Sequence, residues 1–500
     1  MPATAINKNV EINTLLHLKK LAKTCLSFQL IAAPVYLLGS LVFPESNSLA
    51  VNFGFLAIII SLTPIFYALY KRHFPVLFSS ISAFNVAPIW FLYKDTVLPG
   101  SDTYIYSPPL YKMEALFWVA LFQVFVNLFY LLLWRKGLQF FIKRFSFLNK
   151  INLSQSFLIG LTFFTFLFPL IAFYFYYGSF DTLWLAATGG RSGGGSEGGL
   201  LIHEAVGGSG SYMMPINSFW QLTPVFGSIA FTSARNKKSL FPILSLLFGL
   251  IVVFVFFLGG SRGTMMFVAA PVLFFLFYFN WDRGFKFWVP ATLIFFLMVG
   301  IMEVQVRFRG NLLDVIANPS KAAKARGLSN ATTLDPTQAQ QENNMYLFCL
   351  MIEGIPDKYP FEGFFNLYAT LVNPIPRAVW PGKPLLGGAK DVSYQAPYIL
   401  DGPLVMGTAS LTFSLVGEAY LAGGFWGIIV YALLYALIYI SFDSIIYYTK
   451  QKQVLPIGIL GICVFLAFWG YRGFFALFTF LYPLLIFLFL LRMIQFLKRS

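Results

Sequence analysis

Charge is scarce in this chain. Only 11% of its 500 residues are charged, while 58% are hydrophobic and the mean hydropathy is +0.72. Soluble domains carry about 25% charged residues, so a water-soluble enzyme of this size is excluded. Disorder is excluded by the opposite test, because disordered chains are poor in apolar residues. Cysteine and histidine are scarce too. Cys25, Cys349 and Cys463 lie far apart and match no redox or metal spacing, and the histidines are His17, His73 and His203 alone. A disulfide framework and a multi-histidine metal site are therefore not expected. The glycine-rich stretch within 189–199 lacks the Gly-Lys-Ser/Thr ending of a P-loop.

What is abundant is apolar and aromatic sequence: 19% of residues are aromatic, with 59 Phe. A membrane helix needs about 20 mostly apolar residues. Such runs fall at 26–43, 50–70, 74–93, 114–134, 154–177, 213–233, 239–258, 263–280, 286–303, 423–442, 454–470 and 473–491. The expected fold is an all-α polytopic membrane protein with about twelve transmembrane helices.

Orientation follows from Lys and Arg in the loops. With the N-terminus inside, inner segments hold Lys71, Arg72, Arg135, Lys136, Lys143, Arg144, Lys150, Arg235, Lys237, Lys238, Arg283, Lys286, Lys450, Lys452, Arg492, Lys498 and Arg499. Short outer loops hold only Lys94, Lys112, Arg191, Arg262 and Arg472. Both termini are expected to be cytoplasmic. Most of the net +15 then records topology, and no nucleic-acid partner is implied.

Three regions result. Residues 1–303 form a membrane domain of about nine spans with an outer Gly-rich loop at 178–212. Residues 304–422 form one large outer segment, and 423–500 add about three spans. Loops longer than 100 residues are usually functional. Within this one, a helix opening at Asp335-Pro336 carries Met345, Phe348, Cys349 and Ile352 on one apolar face and stops at Gly354 and Pro356. It either lies on the membrane or packs over the spans. The run 361–372 is apolar but too short to cross, so it reads as re-entrant or interfacial. Four prolines within 374–384 stiffen a segment holding Arg377 and Lys383. A short helix at 408–421 leads Glu418 into the next span.

Six outer cations run against the positive-inside preference: Arg262, Arg307, Arg309, Arg377, Lys383 and Arg472. They either bind an anionic group, with phosphate or diphosphate the natural choice for guanidinium forks, or snorkel to lipid phosphate. Glu418 is a candidate general base or a structural carboxylate, with Glu303 its rival. Trp380, Tyr394 and Tyr398 are either faces for sugar rings or interfacial anchors. No cofactor or metal is expected.

The layout, the turn Gly259-Gly260-Ser261-Arg262-Gly263, the run from Pro376 through Arg377 and Trp380 to Lys383-Pro384, and Gly417-Glu418-Ala419-Tyr420 followed by Gly423, Gly424 and Gly427 resemble the bacterial O-antigen polymerases, the Wzy-type oligosaccharide repeat unit polymerases. The resemblance in layout covers most of the chain; its motifs cover 376–427 and Arg262. It implies a glycosyltransferase of the bacterial inner membrane with its active site facing the periplasm. The activity would polymerise repeat units carried on undecaprenyl diphosphate for O-antigen, capsule or exopolysaccharide. Arg377 and Glu418 would then be catalytic, and Arg262, Arg307, Arg309, Lys383, Arg472 and Trp380 would bind substrate. Membrane lipids and a chain-length regulator protein are the other implied partners. The alternatives are a lipid-linked oligosaccharide flippase or transporter and an O-antigen ligase-like glycosyltransferase; residues 304–422 lack the external His of the ligases.

Overall fold

The computed structural model describes residues 4–99, 101–150, 154–181, 213–234, 236, 238–258, 262–280, 289, 293, 344–372, 375, 379, 380, 382, 413–449 and 453–497. The described elements are all helical. They are α1 (Thr4–Val42), α2 (Asn47–Ser61), α3 (Thr63–Lys71), α4 (Ser80–Pro88), α5 (Lys94–Val97), α6 (Asp102–Tyr106), α7 (Pro109–Arg144), α8 (Gln155–Tyr177), α9 (Met213–Ser233), α10 (Leu240–Leu258), α11 (Arg262–Asn280), α12 (Asn344–Gly354), α13 (Phe365–Val372), α14 (Ser414–Asp443), α15 (Val454–Trp469) and α16 (Phe474–Leu497).

Seven stretches among the described residues are long and apolar enough to cross a membrane: Asn13–Val42, Asn47–Lys71, Pro109–Arg144, Gln155–Tyr177, Leu240–Phe257, Ser414–Tyr448 and Val454–Arg472. Helices satisfy their own backbone polar groups, which a bilayer requires. Each matches an apolar run read from the sequence. The runs 213–233, 263–280 and 473–491 are also helical, as α9, α11 and α16. The run 286–303 lies almost wholly outside the described residues.

The run 74–93 differs from expectation, because it is not one helix. It breaks into a 3-10 turn (Phe74–Phe78), α4 and a π turn (Ile89–Tyr93). The cause is local. Ser79 caps α4, accepting a hydrogen bond from Ser82 N–H, and Pro88 ends the regular helical ladder.

The long helix α7 is the hub. At 36 residues it measures about 54 Å, well beyond a hydrocarbon core of about 30 Å. It packs along α1 and α14, while α8, α9 and α10 pack on one another, α9 also meets α11, α15 and α16, and α11 lies against α15. The interior carries amide pairs: Gln29 donates to Gln123 at 2.7 Å, and Asn85 and Asn127 bond reciprocally at 3.3 and 3.0 Å. Unpaired, each amide would be costly in this setting. Outward positions such as Ile31, Leu41, Phe140 and Phe175 are large, apolar and exposed, as a lipid-facing surface demands.

Helix α14 is broken. Gly423 and Gly424 leave helical geometry, and Gly424 has φ 56°, a left-handed conformation that favours glycine. Phe361 packs against Gly424, and Glu362 N–H donates to the carbonyl of Leu421 at 3.0 Å. The carbonyl freed by the break is thus satisfied from the segment preceding α13.

Candidate functional site

Helix directions place the candidate residues. Trp118 packs on Tyr420, Phe122 on Tyr435, and Tyr130 bonds Asp443, so α7 and α14 run parallel. Tyr278, near the end of α11, donates to Thr449, just before α15. Gly461, midway along α15, meets Pro271 and Phe274. Helices α11 and α15 are therefore antiparallel, and Arg262 begins α11 at the end of the bundle where α15 closes with Arg472. Glu418 and the start of α16 occupy that same end. Asp443, Lys143, Arg144 and Arg492 mark the other.

Glu418 is buried in the short half of α14 ahead of the break. Its Oε2 accepts the backbone N–H of Phe474 at 2.7 Å, at the first residue of α16, where a helix favours negative charge. Gly473 permits this approach: a Cβ there would stand 2.6 Å from Oε1. A carboxylate offers about four acceptor sites, and one is used here. Among the described residues no cation pairs with it. Arg472, one residue before Gly473, holds its guanidinium 5.5 Å from the centre of the Trp469 ring. The turn Gly470–Arg472 is anchored by the Tyr435 hydroxyl, which donates to Gly470 C=O at 3.2 Å. Glu418 thus lies against Gly473, the residue that follows Arg472, at the end of a braced turn.

The segment 361–372 forms the adjoining wall. Glu362 sits level with Leu421. Eight residues later Tyr482 OH donates to Thr370 C=O at 3.0 Å, and Tyr482 lies about 12 Å into α16 from Phe474. Helix α13 therefore descends into the bundle. Phe365, Tyr368 and Leu371 are exposed, as on the other outward faces of the bundle, while Asn366, Ala369 and Thr370 are buried. Asn366 donates to Glu362 Oε2 at 3.2 Å. Asn366 Oδ1, Thr370 Oγ1 and the hydroxyl of buried Tyr431 have no hydrogen-bond partner. Tyr431 lies within the electrostatic reach of both Glu418 and Glu362, and its ring packs on Phe474 at 5.9 Å.

The structure thus places Glu418, Arg472 and the backbone start of Arg262 at one end of the bundle. Trp380 is half-buried. Arg307, Arg309, Arg377 and Lys383, with Glu303, His203, Tyr394 and Tyr398, lie outside the described residues, as do the bulk of loop 178–212 and the start of the helix expected at Asp335. That helix, as α12, is buried on nearly every side against α7 and α14 rather than lying on a surface. Sequence reading passed over Glu362, Asn366, Thr370 and Tyr431. The available signal was the four-residue spacing of Glu362, Asn366 and Thr370 in an otherwise apolar run.

Two further buried charged residues each hold more than one hydrogen bond. Asp443 accepts from Ser80 N–H (2.6 Å), Ile81 N–H (3.4 Å) and Tyr130 OH (2.7 Å), holding the start of α4. Lys112 donates to Asn47 Oδ1 and Tyr104 C=O at 2.8 and 2.9 Å and lies near the Tyr104 ring. Among the described residues no group of His, Cys, Asp or Glu is arranged to hold a metal ion. Compared with protein-family models, curated proteins and solved structures, the chain matches none.

Proposed function

We propose that this membrane protein is a glycosyltransferase that polymerises oligosaccharide units carried on undecaprenyl diphosphate. In this reading about twelve spans place both termini in the cytoplasm of a bacterium, and the Glu418 end faces the periplasm across the inner membrane. The basic residues at the Asp443 end support that orientation. The acceptor hydroxyl gives its proton to Glu418 as its oxygen bonds the anomeric carbon of the donor chain. The bond from that carbon to the diphosphate oxygen breaks, and the diphosphate leaves on its lipid. Arg472 and Arg262, with Arg377, Lys383, Arg307 and Arg309 of the outer segment, supply charge to the leaving diphosphate.

One observation carries the reading: a buried carboxylate with unused acceptor capacity, beside a helix break and at the end of the bundle that also holds Arg472. Membrane-embedded acids without a paired cation are costly and mark functional positions. The test is incubation of purified protein with lipid-linked repeat units. The wild type should extend them, and Glu418→Gln, which keeps the shape but not the basicity, should lose about 10²–10⁴-fold in rate. Undiminished extension by the variant would remove Glu418 from the chemistry. A broken helix and a re-entrant segment also occur in transporters, which favours a lipid-linked oligosaccharide flippase as the second reading. Movement of lipid-linked units across vesicles without extension would decide for it.

A further inference from the structure

Buried polar atoms without partners beside α13 point to a ligand. A helix packed into a bundle ordinarily pairs every polar group it buries. Here Phe365, Tyr368 and Leu371 face outward while Asn366 (5% exposed) and Thr370 (1% exposed) face the seam with α14 and α16. Across that seam stands Tyr431, fully buried. An amide oxygen and two hydroxyls are left without partners in one seam, beside the half-buried Glu362 carboxylate that Asn366 already touches. Each such group left unsatisfied costs about 1–3 kcal/mol.

We propose that the seam between α13, α14 and α16 is a saccharide subsite. Asn366 Oδ1 and the Glu362 carboxylate accept from sugar hydroxyls, while the Thr370 and Tyr431 hydroxyls both donate and accept. The ligand class follows from the set. An amide oxygen and two amphoteric hydroxyls, set beside a carboxylate, suit the hydroxyls of a sugar ring. The proximity of Glu418 makes this the place where the acceptor sugar is held with a hydroxyl toward the base. The assignment rests on the glycosyltransferase reading for its role, but not for its binding chemistry.

The experiment uses full-length protein in nanodiscs and two probes: oligosaccharide released by mild acid from the source cell's lipid-linked repeat units, and undecaprenyl diphosphate without sugar. Saturation-transfer NMR or calorimetry gives the affinity for each. The near-isosteric Thr370→Val and Tyr431→Phe should each weaken oligosaccharide binding by about 5–10-fold, one hydrogen bond's worth. Both should leave undecaprenyl diphosphate binding unchanged, and Thr370→Ser should restore the sugar. The retained lipid binding shows that the variants fold. Oligosaccharide affinity equal to wild type in both variants would overturn the subsite, even if the wild type extends chains. Weakened sugar binding together with normal extension by Glu418→Gln would keep the subsite and remove the catalytic reading.

Discussion

Replacing Gly473 by Ala tests the geometry around Glu418 more sharply than removing the acid itself. The backbone at Gly473 is extended, with φ 162°, so alanine introduces no backbone strain. What it introduces is a Cβ 2.6 Å from Glu418 Oε1 and 3.3 Å from the carboxyl carbon. Ordinary contact begins about 0.8 Å further out, so the carboxylate must retreat by roughly that much. The 2.7 Å bond from Phe474 N–H would then stretch to the limit of hydrogen bonding. Losing a hydrogen bond to a charged group costs about 1.5–3 kcal/mol, and misplacing a reacting group by about 1 Å costs about 10²-fold in rate. Gly473→Ala should therefore reduce chain extension by about two orders of magnitude in purified protein that still inserts and purifies normally. Gly160→Ala is the control: nothing lies within 4 Å of its Cβ, and a helical alanine gains about 1 kcal/mol over glycine. Extension by Gly473→Ala within threefold of wild type would mean that the Glu418 position does not govern the reaction.

Three further outcomes are expected. Arg262→Ala and Arg472→Ala should each leave the protein in the membrane but shorten surface polysaccharide toward single units on gels; normal chain-length ladders in both would remove them from the site. Arg472→Lys should recover only part of the activity, because an ammonium keeps the charge but not the planar fork resting on Trp469. His73 stacks on His17 at 4.4 Å and bonds Thr14 through Nε2, and its imidazole is pushed down to about 4 by burial and then by the charge of His17. A histidine held neutral in the fold contributes stability that is present above pH 6.5 and is lost as pH falls from 6.5 toward 4. Thermal unfolding of His73→Asn should accordingly vary less with pH over that window than wild type, and identical profiles would refute the coupling.

The spans were legible because their signal is additive. Twenty apolar residues in a row outvote any single exception, so 154–177 and 239–258 appear where the runs stand, and 26–43 is the second half of a longer helix, Thr4–Val42. The run 74–93 is equally apolar in its second half, yet it breaks. Pro75, Ser79 and Pro88 act locally, and Asp443, 363 positions away from Ser80, stabilises the start of α4 in a way no window along the chain can register. The site was legible in part for the same reason. Glu418 and Arg472 drew notice as charges in apolar surroundings. The seating of Glu418 on the start of α16 depends on Gly473, whose small size matters only because α14 and α16 converge there. Asn366, Thr370 and Tyr431 carry no charge, and their inward direction comes from the descent of α13 beside α16, which composition does not encode.

Helix α14 carries its own internal comparison, with one buried acid near each end. Asp443 shows what a bracing carboxylate looks like: two backbone N–H groups and a tyrosine hydroxyl converge on it, and it ties α4 to α14 and α7. Glu418 is as well buried, yet it accepts one bond, and the glycine beside it keeps Oε1 open. If both acids were structural, converting each to its amide would cost similar stability. The geometry requires otherwise. An amide at 443 would turn an N–H₂ toward donors it cannot accept from, costing about 1–3 kcal/mol, whereas an amide at 418 can keep its carbonyl on Phe474 N–H and turn its nitrogen to the open side. Asp443→Asn should therefore lower the thermal unfolding midpoint in detergent and leave extension per folded molecule near wild type. Glu418→Gln should do the reverse, keeping the midpoint and losing extension. Should the two variants lose stability equally while Glu418→Gln remains active, Glu418 is a second brace, and the base must be sought elsewhere at that end of the bundle.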